Sequence, residues 1–417
     1  MSGRQDARRE WIAHWPLVLA AMIGLSFTSV AAASIGLLMT PLADAFAWSR
    51  AQISLGLTIY ALVAVPLSPF VGALIDRWGP RRLAIPGTIL SALCFAAFGL
   101  MNGSIAQWLS LWLMYAIVTL AIKATVWTAA VSRAFSAGRG LALALTLSGS
   151  AIAMTLVPVL AQWIIDSYGW RQAYYALGLG WGGFVLLWVA MFFRDGRSGS
   201  AIRHAPGNSQ VPTVDMPGLE LKEALRSIPL VKLAVATVTS ITVISAVAIH
   251  QIPILTEGGL TREAAAGIAA TAGASSIVDK LATGWMMDRW GSLSVAGASV
   301  GLPAGAFFLL SQGHGSVSLT TIAIVLLGYG NGAFIQLSAY LTGRYAGLRN
   351  FGKIFGVMAS LIALGLGLGP LSAGFIFDLY GSYDLLLWSG IPAMLACGIL
   401  VATLGPFPRF QDSMAKG

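Results

Sequence analysis

Along most of this chain apolar residues run without a polar alternation, and the runs are long. Twelve of them approach or exceed about 20 residues, the length an α-helix needs to cross a bilayer. They fall at 16–40, 53–75, 83–101, 108–131, 141–165, 173–193, 229–255, 264–287, 293–312, 318–342, 353–377 and 385–405. In hydrocarbon every backbone N–H and C=O must be satisfied within its own segment, so each run is predicted to be a helix. The expected fold is an all-α membrane protein of twelve transmembrane helices in two pseudo-symmetric six-helix bundles. The one long polar stretch, 194–228, is rich in Gly, Pro and basic residues and reads as a linker between residues 1–193 and 229–417. Its end, Gly218–Ser227, has the composition of a short surface helix or a tether.

The polar punctuation between runs repeats. Gly72, Asp76, Arg77, Trp78 and Gly79 recur 212 residues later as Gly284, Asp288, Arg289, Trp290 and Gly291. At the same offset Pro158 recurs as Pro370, and Asp166, Tyr168 and Gly169 recur as Asp378, Tyr380 and Gly381. Asp76 and Asp166 are 90 residues apart, as are Asp288 and Asp378. A fixed offset marks a duplicated half. Quarters nested in halves, in an apolar chain, are the pattern of secondary transporters.

Composition agrees: 57% of residues are hydrophobic and 10% charged, against about a quarter charged in soluble domains. Of 25 Lys and Arg, 20 lie in the N-terminus, the even-to-odd connections or the C-terminal tail; Arg50, Arg171 and Arg262 lie in the opposite loops. This bias predicts an integral protein of the cell (inner) membrane with both termini cytoplasmic. It also accounts for the net charge of +9 without a nucleic-acid partner. Cys94 and Cys397 lie within spans and read as small apolar residues. Gly347–Lys353 imitates a P-loop but is followed by Ile354 rather than Ser or Thr. Nothing points to an enzyme, a cofactor or a metal.

The stretch GALIDRWGPRRL (Gly72–Leu83), with its degenerate copy GWMMDRWGSL at 284–293, resembles the signature loop of the major facilitator superfamily. The resemblance implies alternating access, with Asp76, Arg77, Arg81, Asp288 and Arg289 as gating residues; the alternative is a loop-ordering ion pair. Arg139–Leu143 (RGLAL), Gly149, Pro158 and YGWR at 168–171 look like the bacterial monocarboxylate and oxalate transporter branch, as do FGKIFG at 351–356, LGP at 368–370 and GSYD at 381–384. That branch keeps a cation in helix 8, where Lys280 stands in place of the usual arginine. Helices 1, 4, 7 and 10 line the cavity in the superfamily, which makes His250, Gln251, Asn331, Gln336 and Tyr340 candidate polar contacts; the alternative for each is a satisfied structural hydrogen bond.

Three charged residues lie well inside the spans, away from their ends: Lys123, Asp279 and Lys280. Each costs about 2.5–3.5 kcal/mol at a helix centre on insertion scales, so such residues tend to be functional. Lys123 and Lys280 sit at similar depths in opposite halves and are expected to bind an anion; the alternative is snorkelling toward the interface. In helix 4, Thr119, Lys123 and Trp127 are spaced four apart and share a face, so Trp127 is expected either to wall a pocket for a flat acid or to pack in the core. Burial favours a protonated carboxyl, so Asp279 is expected to carry a coupling proton or to serve as a counter-ion. The reading is a proton-coupled symporter of a small organic anion, functional as a monomer, whose partners are that anion, H+ and the lipid bilayer. An anion exchanger or, less favoured, a drug or metabolite exporter are the alternatives.

Overall fold

The structure, a computed structural model, describes residues 2–135, 138–194, 218–290, 292–313, 315–347 and 349–408. Most of the linker expected at 194–228 lies outside them. Within the helices, the side chains of Asp76, Lys280, Asp288, Asn331 and Gln336 also lie outside the described residues.

Seventeen helices are described: α1 (Ser2–Thr28), α2 (Val30–Phe46), α3 (Arg50–Trp78), α4 (Pro80–Ala97), α5 (Ile105–Thr119), α6 (Ala124–Ala134), α7 (Arg139–Tyr168), α8 (Trp170–Tyr175), α9 (Gly182–Phe192), α10 (Leu221–Ala224), α11 (Ile228–Glu257), α12 (Arg262–Trp290), α13 (Leu293–Gly301), α14 (Pro303–Gln312), α15 (Val317–Ala346), α16 (Phe351–Tyr380) and α17 (Asp384–Ala402). All twelve predicted spans fall on helix, and the described residues hold no strand, only an isolated bridge between Gly218 and Gly347. Ten helical stretches among them are long and apolar enough to cross a membrane, and Val317–Gly330 is a shorter apolar one. The span at 264–287 is helical within α12 but is not among the ten; α12 carries Glu263, Asp279 and Lys280. Large apolar side chains such as Leu93, Leu187, Phe308, Phe375 and Ile399 are exposed, as suits a surface solvated by lipid.

Several spans are not continuous helices. The first bends at Ser29, where Ser26 and Thr28 hydroxyls donate to the carbonyls of Ile23 and Leu25 at 2.6 and 2.7 Å. Such back-bonding competes with the helical ladder and bends it. The sixth span contains a π-helical stretch, Ala176–Trp181, between α8 and α9. The fourth breaks at a 3₁₀ turn, Leu120–Ile122, between α5 and α6.

The chain divides into two compact units, Met1–Ala201 with Ile249–Ala274, and Ile202–Ala248 with Ser275–Gly417. In the first, α7 approaches α1 so closely that a side chain on Gly149 would strike the Met22 carbonyl, and Gly24 is bare beneath the Trp127 ring. An aromatic core gathers Phe95, Phe98, Trp108, Trp112, Tyr115 and Tyr174 from α4, α5, α8 and the turn after α4. The segment 249–274, which the repeat assigns to the second half, packs in this unit. Gly36 lies on the Ile249 carbonyl, Gly273 on Ala151 and Thr155, and Arg50 pairs with Glu257.

In the second unit, glycines of the run 365–369 let α16 close on α11. A side chain on Gly369 would strike Ser245 and Thr242, and Ser245 Oγ donates to the Gly365 carbonyl at 3.1 Å. The core includes Leu233, Ile241, Phe334, Leu341, Ile354 and Met358. The end of the linker is tied down here: Leu219 N–H donates to the Ala346 carbonyl at 2.8 Å and Asn350 Nδ2 to the Leu219 carbonyl at 3.2 Å. The stretch 218–227, read as a short helix or a tether, holds a single helical turn, α10, with Glu220 and Glu223 forming its capping box.

Candidate functional site

Lys123 stands in the break of the fourth span rather than on a continuous helix. It is the N-cap of α6, with extended backbone (φ −66°, ψ 165°), so the face shared by Thr119, Lys123 and Trp127 that an unbroken helix predicts does not exist. A break leaves carbonyls and N–H groups without helical partners. Trp127 repairs part of this: its indole Nε1 donates to the Ile122 carbonyl at 2.6 Å. Its ring is fully buried, seated on Gly24 and 4.9 Å from Phe193. Trp127 therefore packs the core of the first unit around the break instead of standing beside the Lys123 side chain.

The Lys123 ammonium lies 5.3 Å from the centroid of the Tyr60 ring. No carboxylate pairs with it among the described residues of its unit. Tyr60 is itself held: its ring stacks on Tyr115 at 5.7 Å and 28°, meets Trp112 edge-on at 6.3 Å, and its hydroxyl lies beside the Thr119 side chain. A cation over an aromatic face gains about 0.5–2 kcal/mol. That is less than the about 2.5–3.5 kcal/mol charged to a cation at a membrane helix centre, so the site retains unmet positive charge. The first N–H groups of α6 start beside the same residue, and the positive end of the helix dipole adds to the field. Sequence reasoning did not find Tyr60, because a tyrosine within an apolar span carries no signal of its own.

His250 is fully buried, with Nε2 3.0 Å from Ser54 Oγ of α3, and Gln251 beside it is also buried. Two turns further along α11, Glu257 pairs with Arg50 at the start of α3. The structure thus places His250 in a polar contact between the start of α3 and the last turns of α11.

Asp279 is fully buried in α12. Its Oδ1 accepts from Thr283 Oγ1, one turn on, at 2.7 Å, and Thr283 Oγ1 is 3.4 Å from the Tyr329 hydroxyl of α15. Thr283 and Tyr329 are further residues the sequence did not single out; the four-residue spacing of Asp279 and Thr283 was the available clue. Lys280, Asn331 and Gln336 flank this cluster in sequence, with side chains outside the described residues.

In the signature loop, Gly79 ends α3 with φ 83°, a conformation that favours glycine, and Pro80 opens α4. Arg81 Nη2 donates to the Ala190 carbonyl near the end of α9 at 2.9 Å. Arg77 and Arg289 are exposed in the last turns of α3 and α12. Of the other branch-like stretches, YGWR opens α8: the Arg171 guanidinium covers the Trp170 ring at 4.2 Å and donates to the Met101 carbonyl at 3.1 Å. In FGKIFG, Phe351 and Phe355 stack at 5.5 Å. These contacts are structural. Among the described residues no cluster of His, Cys, Asp and Glu is arranged to hold a metal.

Comparison with known proteins accounts for this architecture. The chain is 26% identical to monocarboxylate transporter 13 of Bos taurus over 96% of this chain and 92% of that protein. It is 27% identical to monocarboxylate transporter 11 of Mus musculus over 89% and 82%. The crystal structure of the nucleoside transporter NupG superposes with a TM-score of 0.71 at 12% identity, covering 94% of this chain and all of that one, and shows the shared fold. The Major Facilitator Superfamily profile matches residues 19–320, so this integral membrane transport protein belongs to the Major Facilitator Superfamily and within it resembles the monocarboxylate transporters.

Proposed function

We propose that this protein moves a small monocarboxylate-like organic anion across the cell (inner) membrane by alternating access, with proton symport, as a monomer with cytoplasmic termini. The observation that carries the reading is Lys123: a cation at a helix break inside a membrane span, with an aromatic ring and no carboxylate as its described partner. Broken transmembrane helices that aim an N-terminus at an anionic substrate group are a recurrent transporter device. The monocarboxylate transporters among its relatives support the substrate class.

In this reading Lys280 is the second cation, at the helix 8 position, and His250, Asn331 and Gln336 supply polar contacts. Asp279 carries the coupling proton, with Thr283 holding one carboxyl oxygen. An anion that neutralises Lys280 removes a charge favouring ionised Asp279, so anion and proton load together. Asp76, Arg77, Arg81, Asp288 and Arg289 latch and release the cytoplasmic face.

Uptake of labelled aliphatic, aromatic and dicarboxylic acids into proteoliposomes, with and without an inward proton gradient, tests this. Gradient-driven accumulation of a monocarboxylate, lost in Lys123→Ala, is the expected result. Exchange that ignores the gradient would make the protein an anion exchanger, and transport of no carboxylate would overturn the reading.

A further inference from the structure

The Lys123–Tyr60 contact assigns a role to a residue that none of the motifs reaches. Tyr60 is fixed before any anion arrives: Tyr115, itself fully buried, stacks on one side of it, Trp112 meets its edge, and Thr119 lies beside its hydroxyl. The ring is therefore a rigid platform and not a side chain that happens to rest nearby. Above it the Lys123 ammonium sits 5.3 Å from the centroid, on the short extended link between the 3₁₀ turn and α6. Among the described residues the Lys123 ammonium has no other partner.

Resting on the reading of Lys123 as an anion contact, we propose that Tyr60 is the positioning residue of this site, a neutral counter-group that holds the lysine cation in the substrate-free membrane and yields it to one incoming carboxylate. The physical advantage lies in what a ring lacks. A carboxylate counter-ion would have to be expelled by the substrate, because two anions cannot share one ammonium without repulsion. The negative face of an aromatic ring attracts the cation through its quadrupole yet carries no net charge. The substrate carboxylate can then approach the ammonium from the side away from the ring, and Tyr60 need not leave. One uncompensated positive charge remains, which a single carboxylate neutralises; this favours monoanions at this point of the path.

The test uses the full chain in lipid nanodiscs with its lysines reductively ¹³C-methylated, which preserves their charge. The Lys123 resonance is assigned by its disappearance in Lys123→Arg. In the wild type the ring current should shift this resonance upfield, with nuclear Overhauser contacts to Tyr60 ring protons. The shift should persist in Tyr60→Phe and vanish in Tyr60→Leu. Titration with acetate, lactate or benzoate should move the wild-type resonance, whereas Tyr60→Glu, which supplies an internal carboxylate, should abolish that response. An unshifted wild-type resonance without ring contacts, or a shift that survives Tyr60→Leu, overturns the pairing. An undiminished anion response in Tyr60→Glu overturns the counter-group role while leaving Lys123 as the anion contact. A ring-shifted wild-type resonance that no anion moves overturns the reading of Lys123 itself. If Tyr60→Leu fails to fold, the wild-type ring contacts and the Tyr60→Phe spectrum still decide the pairing.

Discussion

At the scale of single residues, charge inside an apolar run is conspicuous. Lys123, Asp279 and Lys280 could be picked out from the sequence because each carries a penalty that ordinary packing does not repay. Their partners could not. Tyr60 and Thr283 are uncharged residues of kinds common in membrane helices, and which of them meets a charge depends on how helices rotate against each other. Two predictions belong here. Lys280→Ala should abolish anion binding by the purified protein, while Lys280→Arg keeps part of it, because arginine restores the charge with different geometry; wild-type affinity in Lys280→Ala would remove Lys280 from the site. Asp279→Asn should retain anion exchange in proteoliposomes but lose uphill uptake driven by a pH gradient, since exchange never requires an empty carrier to return. Undiminished gradient-driven accumulation would leave Asp279 a buried counter-ion only.

At the scale of elements, the twelve spans were legible because length and hydropathy alone determine what can cross a bilayer. Their interruptions were not. Nothing in TLAIKATVW (119–127) announces a helix stop: there is no proline and no glycine. The break at 120–123 is held by contacts from elsewhere in the chain and from beyond the turn. Ala121 and Ile122 lie against Gly87 of α4, and Trp127 closes the Ile122 carbonyl. Trp127→Phe keeps most of the ring but not the donor. It should therefore destabilise the protein by roughly 0.5–1.5 kcal/mol, the net worth of one buried hydrogen bond, and loosen the Lys123 backbone. Thermal unfolding in detergent, with transport measured in parallel, checks this; unchanged stability would mean that Gly24 and Phe193 alone hold the ring.

At the scale of the whole molecule, the repeat and the packing divide the chain differently. By sequence 249–274 belongs to the second half. In the structure it joins the first unit through Gly36, Gly273, the Ser54–His250 contact and the Arg50–Glu257 pair. These contacts join the end of α11 and the start of α12 to α2, α3 and α7. The ion pair is partly exposed, with 17% and 36% of the side chains accessible, so it contributes about 0.2–1 kcal/mol. Arg50→Ala should accordingly raise the rate at which a cysteine placed at Ser54 is labelled by an impermeant thiol reagent by roughly 1.4- to 5-fold, in a background lacking Cys94 and Cys397. An unchanged rate would show that the pair does not govern opening. Near the other end of α3, Asp76→Asn should slow the transport cycle without preventing anion binding; loss of binding in a folded protein would move Asp76 into the site.

The sequence by itself determined the solvent, the helical spans, the duplication and the superfamily, because each of these is written in composition, run length or a short motif at a fixed spacing. It also located the charged residues that lie within the apolar spans. Only the tertiary structure decided that span 4 is broken at Lys123, that Tyr60 faces its ammonium, and that the ends of α11 and α12 pack with the first half. These depend on where bare glycine backbones let neighbouring segments approach, a relation between residues distant in the chain that no local pattern encodes.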